Sequence, residues 1–170
     1  HEGAGAALVL SYAGESGSIM LSMDALSANI MGNTSTGGQA LGAQVALGHL
    51  DEDDEVDLLI GAPGTLQGGE FVGAVYMVSG PLTGGSDSVA DAATRAFIGT
   101  IPNAGAGSNV KVIGDMNGDG ISEIAVGAPA SGEDPDGRVY VIWGGGSHEG
   151  QVELSTADVQ LVVSSGSEQG

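Results

Sequence analysis

Three observations predict an all-β fold built from repeated, stacked sheets. Glycine is very frequent, at 32 residues, and proline is scarce, at 5, a composition suited to many strands joined by tight turns. Short runs such as "DLLIGA", "EIAVGA", "VYVIW" and "ALVL" are almost continuously apolar, which means that both faces of each strand are covered. The chain also repeats itself: "GHLDEDDEVDLLIGAP" (48–63) aligns without gaps on "GDMNGDGISEIAVGAP" (114–129). A close repeat of about four short strands, with a period in the mid-sixties of residues, fits consecutive four-stranded antiparallel blades of a β-propeller. A β-sandwich is the rival all-β arrangement, but it does not repeat one motif so closely.

Each repeat opens with an inner strand, "GAQVALG" or "SNVKVIG". An acidic loop follows, then a second strand closed by Gly61-Ala62-Pro63 or Gly127-Ala128-Pro129. The third strand is "GAVYMVSG" (73–80) or "GRVYVIWG" (137–144), and "GAALVLSY" (5–12) is an earlier version of it. A weaker edge strand comes fourth, as "NIMG", "RAFIG" (95–99) or "VQLVV". In two copies it is preceded by a further element, "GSIMLS" (17–22) or "GQVELS" (150–155). On this plan residues 1–32 are the late strands of one blade, 33–99 and 100–165 are full blades, and 166–170 start the next. The array is incomplete at about two and a half blades, because a ring takes roughly four to eight. Other blades of a parent chain, or other copies of this chain, are the expected neighbours. The chain begins at His1 without Met or a signal-peptide pattern and is expected to be a mature or excised segment.

The charge balance excludes several partners. Three Lys and Arg face 22 Asp and Glu, so nucleic acid and anionic membrane surfaces are poor partners. A hydrophobic fraction of 41% argues against global disorder despite that charge. No apolar run reaches membrane-spanning length, so no direct membrane insertion is expected. The absence of cysteine excludes a disulfide scaffold. Asn33-Thr34-Ser35 fits a glycosylation sequon, a pattern common by chance.

The acidic loops carry the chemistry. In "GDMNGDGISEI", Asp115, Asn117 and Asp119 alternate, Gly120 allows a sharp turn, and Glu123 stands at the ninth position. Calcium, a hard cation, takes six to eight oxygen ligands, and such a loop supplies them. The EF-hand pattern fits through Gly120 and then fails, since its twelfth position is Val126 and a β-like run follows where the EF-hand has a helix. Calcium would therefore be held inside a β-hairpin. An Asx-rich turn that binds nothing is the plain alternative.

These residues resemble FG-GAP repeats, the blades of the integrin α-subunit head and of many bacterial secreted proteins. "GDMNGDGISEIAVGAP" with "GRVYVIWG" and the more degraded "GHLDEDDEVDLLIGAP" with "GAVYMVSG" carry the resemblance. "LSMDALSANIMG" and "ELSTADVQLVV" look like the linker and outer strand of the bacterial type, to which the likeness is closest. The resemblance implies a seven-bladed propeller, calcium in hairpin loops on one face, and a role in binding or adhesion. Its ligands, carried over by position, are the side chains of Asp115, Asn117, Asp119 and Glu123 and the carbonyl of Ile121. The family usually has Asp at the last of these, one methylene shorter than Glu123. A weaker site would use Asp51, Asp53, the carbonyl of Glu55, and Asp57. There His49 replaces the first Asp and Asp54 replaces the turn glycine, and imidazole is a poor ligand for a hard cation.

No enzyme is expected. His1, His49 and His148 belong to no nucleophile–base or metal-hydrolase pattern, and no G-x-S-x-G elbow occurs. Acids in a calcium loop must stay ionised, the opposite of what a general acid needs. Tyr76, Tyr140 and Trp143 on third strands are expected to pack between blades. The expected function is an extracellular, secreted or cell-surface calcium-binding module for adhesion or for recognition of a protein or glycan. A structural spacer or filament segment is the first alternative, and an accessory propeller of a larger secreted enzyme the second.

Overall fold

The computed structural model describes residues 6–9, 28–32, 39–82, 86–129, 137–146 and 150–163. The element "GSIMLS", the sequon at Asn33, His1, His148 and residues 166–170 lie outside the described residues.

Two sheets follow the repeat. In the first, β3 (Val45–Gly48), β4 (Asp57–Ala62), β7 (Ala74–Val78) and β9 (Arg95–Ile98) pair antiparallel in chain order. In the second, β10 (Asn109–Val112), β11 (Ile124–Ala128), β12 (Gly137–Ile142) and β14 (Val159–Val163) do the same. Registers correspond: Ile60 faces Tyr76 in the first sheet as Val126 faces Tyr140 in the second. A small hairpin, β5 (Leu66–Gln67) with β6 (Glu70–Phe71), tips the far end of β4. These are four-stranded antiparallel propeller blades, as the repeat predicts.

One element departs from the sequence plan. "GQVELS" does not stay with its own repeat: β13 (Gly150–Glu153) lies parallel to β9 in the preceding sheet, with Val152 opposite Phe97. The same crossover occurs one blade earlier. There β1 (Ala6–Val9) and β2 (Ala28–Met31) pair antiparallel, and β8 (Ser86–Ser88) adds to β2 in parallel. Each blade therefore lends a short strand to the edge of its predecessor, which covers an edge that would otherwise invite foreign pairing. After β8 the chain enters one helical turn, α1 (Val89–Ala92), capped by Ser88, whose hydroxyl accepts from Asp91 N–H. The corresponding place after β13 holds a 3₁₀ turn, Leu154–Thr156.

Burial explains the apolar runs. Successive strand side chains point to opposite faces. Leu59 of β4 enters a cluster with Val75, Met77, Phe97, Val126 and Tyr140, which joins the first blade to the second. Leu58 and Ile60 enter another, with Ala62, Tyr76 and Ile98, on the opposite face. The Gly-Ala-Pro glycine has a related cause: a Cβ on Gly61 would stand 2.2 Å from the carbonyl oxygen of Gly107, so no side chain fits where these two backbones meet.

Candidate metal centre

Both acidic loops follow an inner strand, so both lie at the same end of their blades. They are joined there. Ser122 N–H donates to the His49 carbonyl at 3.1 Å, and Gly145 N–H to the Leu50 carbonyl at 3.0 Å. Between them runs an open groove of about 480 Å³ lined by His49, Asp51, Asp53, Asp119, Gly120 and Ser122.

The loop at 115–123 is shaped by its own carboxylates. Asp115 accepts from the N–H groups of Gly118 at 2.6 Å and Gly120 at 2.9 Å. The Asn117 side chain accepts from Asp119 N–H at 2.9 Å and donates back to the Asp119 carboxylate at 2.9 Å. Asp119 in turn accepts from Ile121 N–H at 2.8 Å. The turn takes φ of +85° at Gly118 and +91° at Gly120, the left-handed region that glycine enters without cost.

Glu123 lies beneath this ring and is 0% exposed. Its Oε2 accepts from Met116 N–H, while Oε1 is enclosed without a hydrogen-bond partner. One oxygen each of Asp115, Asp119 and Glu123 lie within 4.8 Å of one another. Like charges about 4 Å apart repel by roughly 1 to 4 kcal/mol per pair in surroundings between water and a protein surface. An unpaired buried acceptor adds about 1 to 3 kcal/mol. A hard cation removes both costs, so the donor set fits calcium. The structure brings Asp115, Asp119 and Glu123 together, and Asn117 joins them through its two bonds to Asp119.

Asp51, Asp53 and Asp57 also place carboxylate oxygens within 4.8 Å. Their bonding differs. Asp57 is 0% exposed, but both its oxygens are engaged, by Leu50 N–H at 2.7 Å and Gly80 N–H at 3.1 Å. Burial raises its carboxyl above the ordinary value, those two amides oppose the rise, and the charges of Asp51 and Asp53 add to it. Asp51 accepts from Asp53 N–H at 3.1 Å and from the Ser79 hydroxyl at 3.1 Å. Asp53 accepts from Glu55 N–H at 2.8 Å. The Glu55 carbonyl, expected among the ligands, is bonded by His49 Nδ1 at 2.9 Å. A carbonyl only accepts, so Nδ1 carries the proton. Sequence reasoning missed Ser79 and this bond of His49. The one available signal was a histidine six positions before a ligand carbonyl.

Of the aromatic residues, Tyr140 is buried in the cluster between blades, Tyr76 in the opposite one, and Trp143 is half-buried.

Comparison with known proteins agrees with this geometry. Residues 112–142, which run from the end of β10 through the loop to the end of β12, match the family model of the FG-GAP repeat. Phosphatidylinositol-glycan-specific phospholipase D of Rattus norvegicus is 34% identical over 125 residues, covering 68% of this chain and 14% of that protein. Integrin alpha-PS2 of Drosophila melanogaster is 35% identical over 113 residues, 63% of this chain and 8% of that protein. Integrin alpha-3 of Cricetulus griseus is 37% identical over 105 residues, 61% of this chain and 9% of that protein. The chain thus spans a small part of each relative. Among the described residues no helix is long and apolar enough to cross a membrane, which leaves β-barrels unaddressed. Residues 112–142 of this chain thus match the FG-GAP repeat and run from the end of the first strand through the third of a four-stranded antiparallel blade.

Proposed function

We propose that the protein is a calcium-stabilised propeller module, extracellular or at the cell surface, that recognises a protein or glycan and performs no catalysis itself. The observation that carries the calcium reading is the enclosed, unpartnered Oε1 of Glu123 beside Asp115 and Asp119. When bound, calcium would neutralise the converging carboxylates and hold the hairpin turn closed. Asp115, Asn117, Asp119 and Glu123 would hold it with side-chain oxygens, and Ile121 with its carbonyl. Recognition and location are supported by the integrin relatives. The experiment is calorimetric calcium titration of the protein, followed by glycan-array and cell-surface binding with calcium or chelator. Calcium uptake with calcium-dependent capture is expected. No uptake defeats the metal reading, and uptake without any capture defeats the recognition reading.

A second reading has its own support. The likeness to a phospholipase D makes an accessory propeller on a larger enzyme the alternative. A parent reading frame that encodes a hydrolase domain beside these blades would favour it.

A further inference from the structure

We infer that the loop at 49–57 is closed by protein groups in place of a cation, so that of the two successive acidic loops only the one at 115–123 takes calcium. The inference rests on the calcium reading of the second loop, and four observations separate the pair. His49 stands where Asp115 stands in the repeat, and its ring N–H occupies the Glu55 carbonyl, the position that would otherwise face the ion. That bond spans the loop from its first position to its seventh, a cross-link of the kind that a shared ion would make. Both buried oxygens of Asp57 accept an amide N–H, from Leu50 and Gly80, whereas one oxygen of Glu123, its repeat counterpart, has no partner.

The backbone differs as well. Gly118 and Gly120 have positive φ, but among the described residues Ala40 and Asn103 are the only non-glycines that do. Glu52 and Asp54, their repeat counterparts, therefore follow another backbone path, although Asp51, Asp53 and Asp57 still converge within 4.8 Å. Finally, Asp51 is drawn to Ser79, which also contacts the Thr94 hydroxyl at 3.0 Å. This chain of bonds ties the loop to the end of β7 and the approach to β9. The 49–57 loop is thus a fixed wall of the groove, and calcium acts on the opposite wall alone.

Tightly bound calcium per chain, measured by metal analysis after dialysis, tests this. Asp53→Ala should keep the wild-type calcium content. A double variant that restores the repeat pattern, His49→Asp with Asp54→Gly, should gain one ion. Loss of an ion in Asp53→Ala overturns the inference, and so does the absence of a gain in the restored variant, which stays informative if Asp53→Ala misfolds. Asp119→Ala is run beside them. Its failure to lose an ion would remove the calcium reading of the 115–123 loop, an outcome distinct from either failure at 49–57.

Discussion

Met116 and Glu123 are joined by a backbone-to-carboxylate bond that fixes one oxygen of Glu123 and leaves the other enclosed and unpaired. A carboxylate so placed gains from a cation and loses without one. Glu123→Gln separates those two effects. The amide oxygen can still accept from Met116, and the NH₂ group would donate toward Asp115 and Asp119 where the carboxylate repels them. In chelator the variant should be more stable than wild type by about 1 kcal/mol or more. In calcium it should be less stable, because a charged ligand is lost. Urea unfolding in both conditions checks this, and a variant destabilised equally in both would contradict it.

Ion choice follows from the same loop. Its several oxygen donors suit the larger coordination shell of calcium, whereas magnesium demands a small octahedral cage. Calcium should raise the melting temperature at concentrations where magnesium does little. No second calcium event attributable to Asp51 should follow the filling of the 115–123 loop. Calorimetry with both metals checks this, and a second site at Asp51 would contradict it.

Gly61 should be far less replaceable than its repeat partner. An alanine Cβ there would meet backbone, the Gly107 oxygen at 2.2 Å, while at Gly127 it would meet the Asn109 side chain at 3.1 Å. Gly61→Ala should cost on the order of 3 kcal/mol, the upper end of overpacking, and Gly127→Ala clearly less. Equilibrium unfolding of the two variants provides the measurement.

Further blades are expected to dock on two faces that expose apolar side chains. On β3, Val45 is 52% and Leu47 58% exposed, on the face shared with Leu58 and Ile60. On the outermost sheet Leu161, 55% exposed, lies opposite half-open Val139. Such patches are rare on stable monomers. Both faces are expected to be covered by other blades, whether of a longer chain or of other copies. Sedimentation of the 170-residue segment should show association. A well-folded monomer that does not associate would contradict the open-propeller reading.

The blade strands were legible because two covered faces leave a continuous apolar run, and because the runs recur with Gly-Ala-Pro at a constant offset. The crossover was not. β8 is "SDS", and a strand that joins an edge through its main chain needs no apolar pattern. "GQVELS" was visible as a recurring element, but nothing local says that its partner is β9 of the preceding sheet. At the loops, residue type and spacing identified Asp115, Asn117, Asp119 and Glu123 as a group. The depth of Glu123 was hidden, since spacing along the loop does not say which ligand lies beneath the others. Ser79 lies 28 residues beyond Asp51, too far for the loop sequence to announce it.

Thermal melting with calcium and with chelator, for wild type, Asp119→Ala and His49→Ala, tests the central claim most directly. Calcium at a hundredfold excess over its dissociation constant should stabilise wild type by about 2.7 kcal/mol. Asp119→Ala should lose most of that increment. His49→Ala should melt lower in both conditions yet keep it, because its bond to Glu55 lies in the other loop. A wild-type midpoint that is the same in calcium and chelator, with no calcium found by metal analysis, would contradict the account.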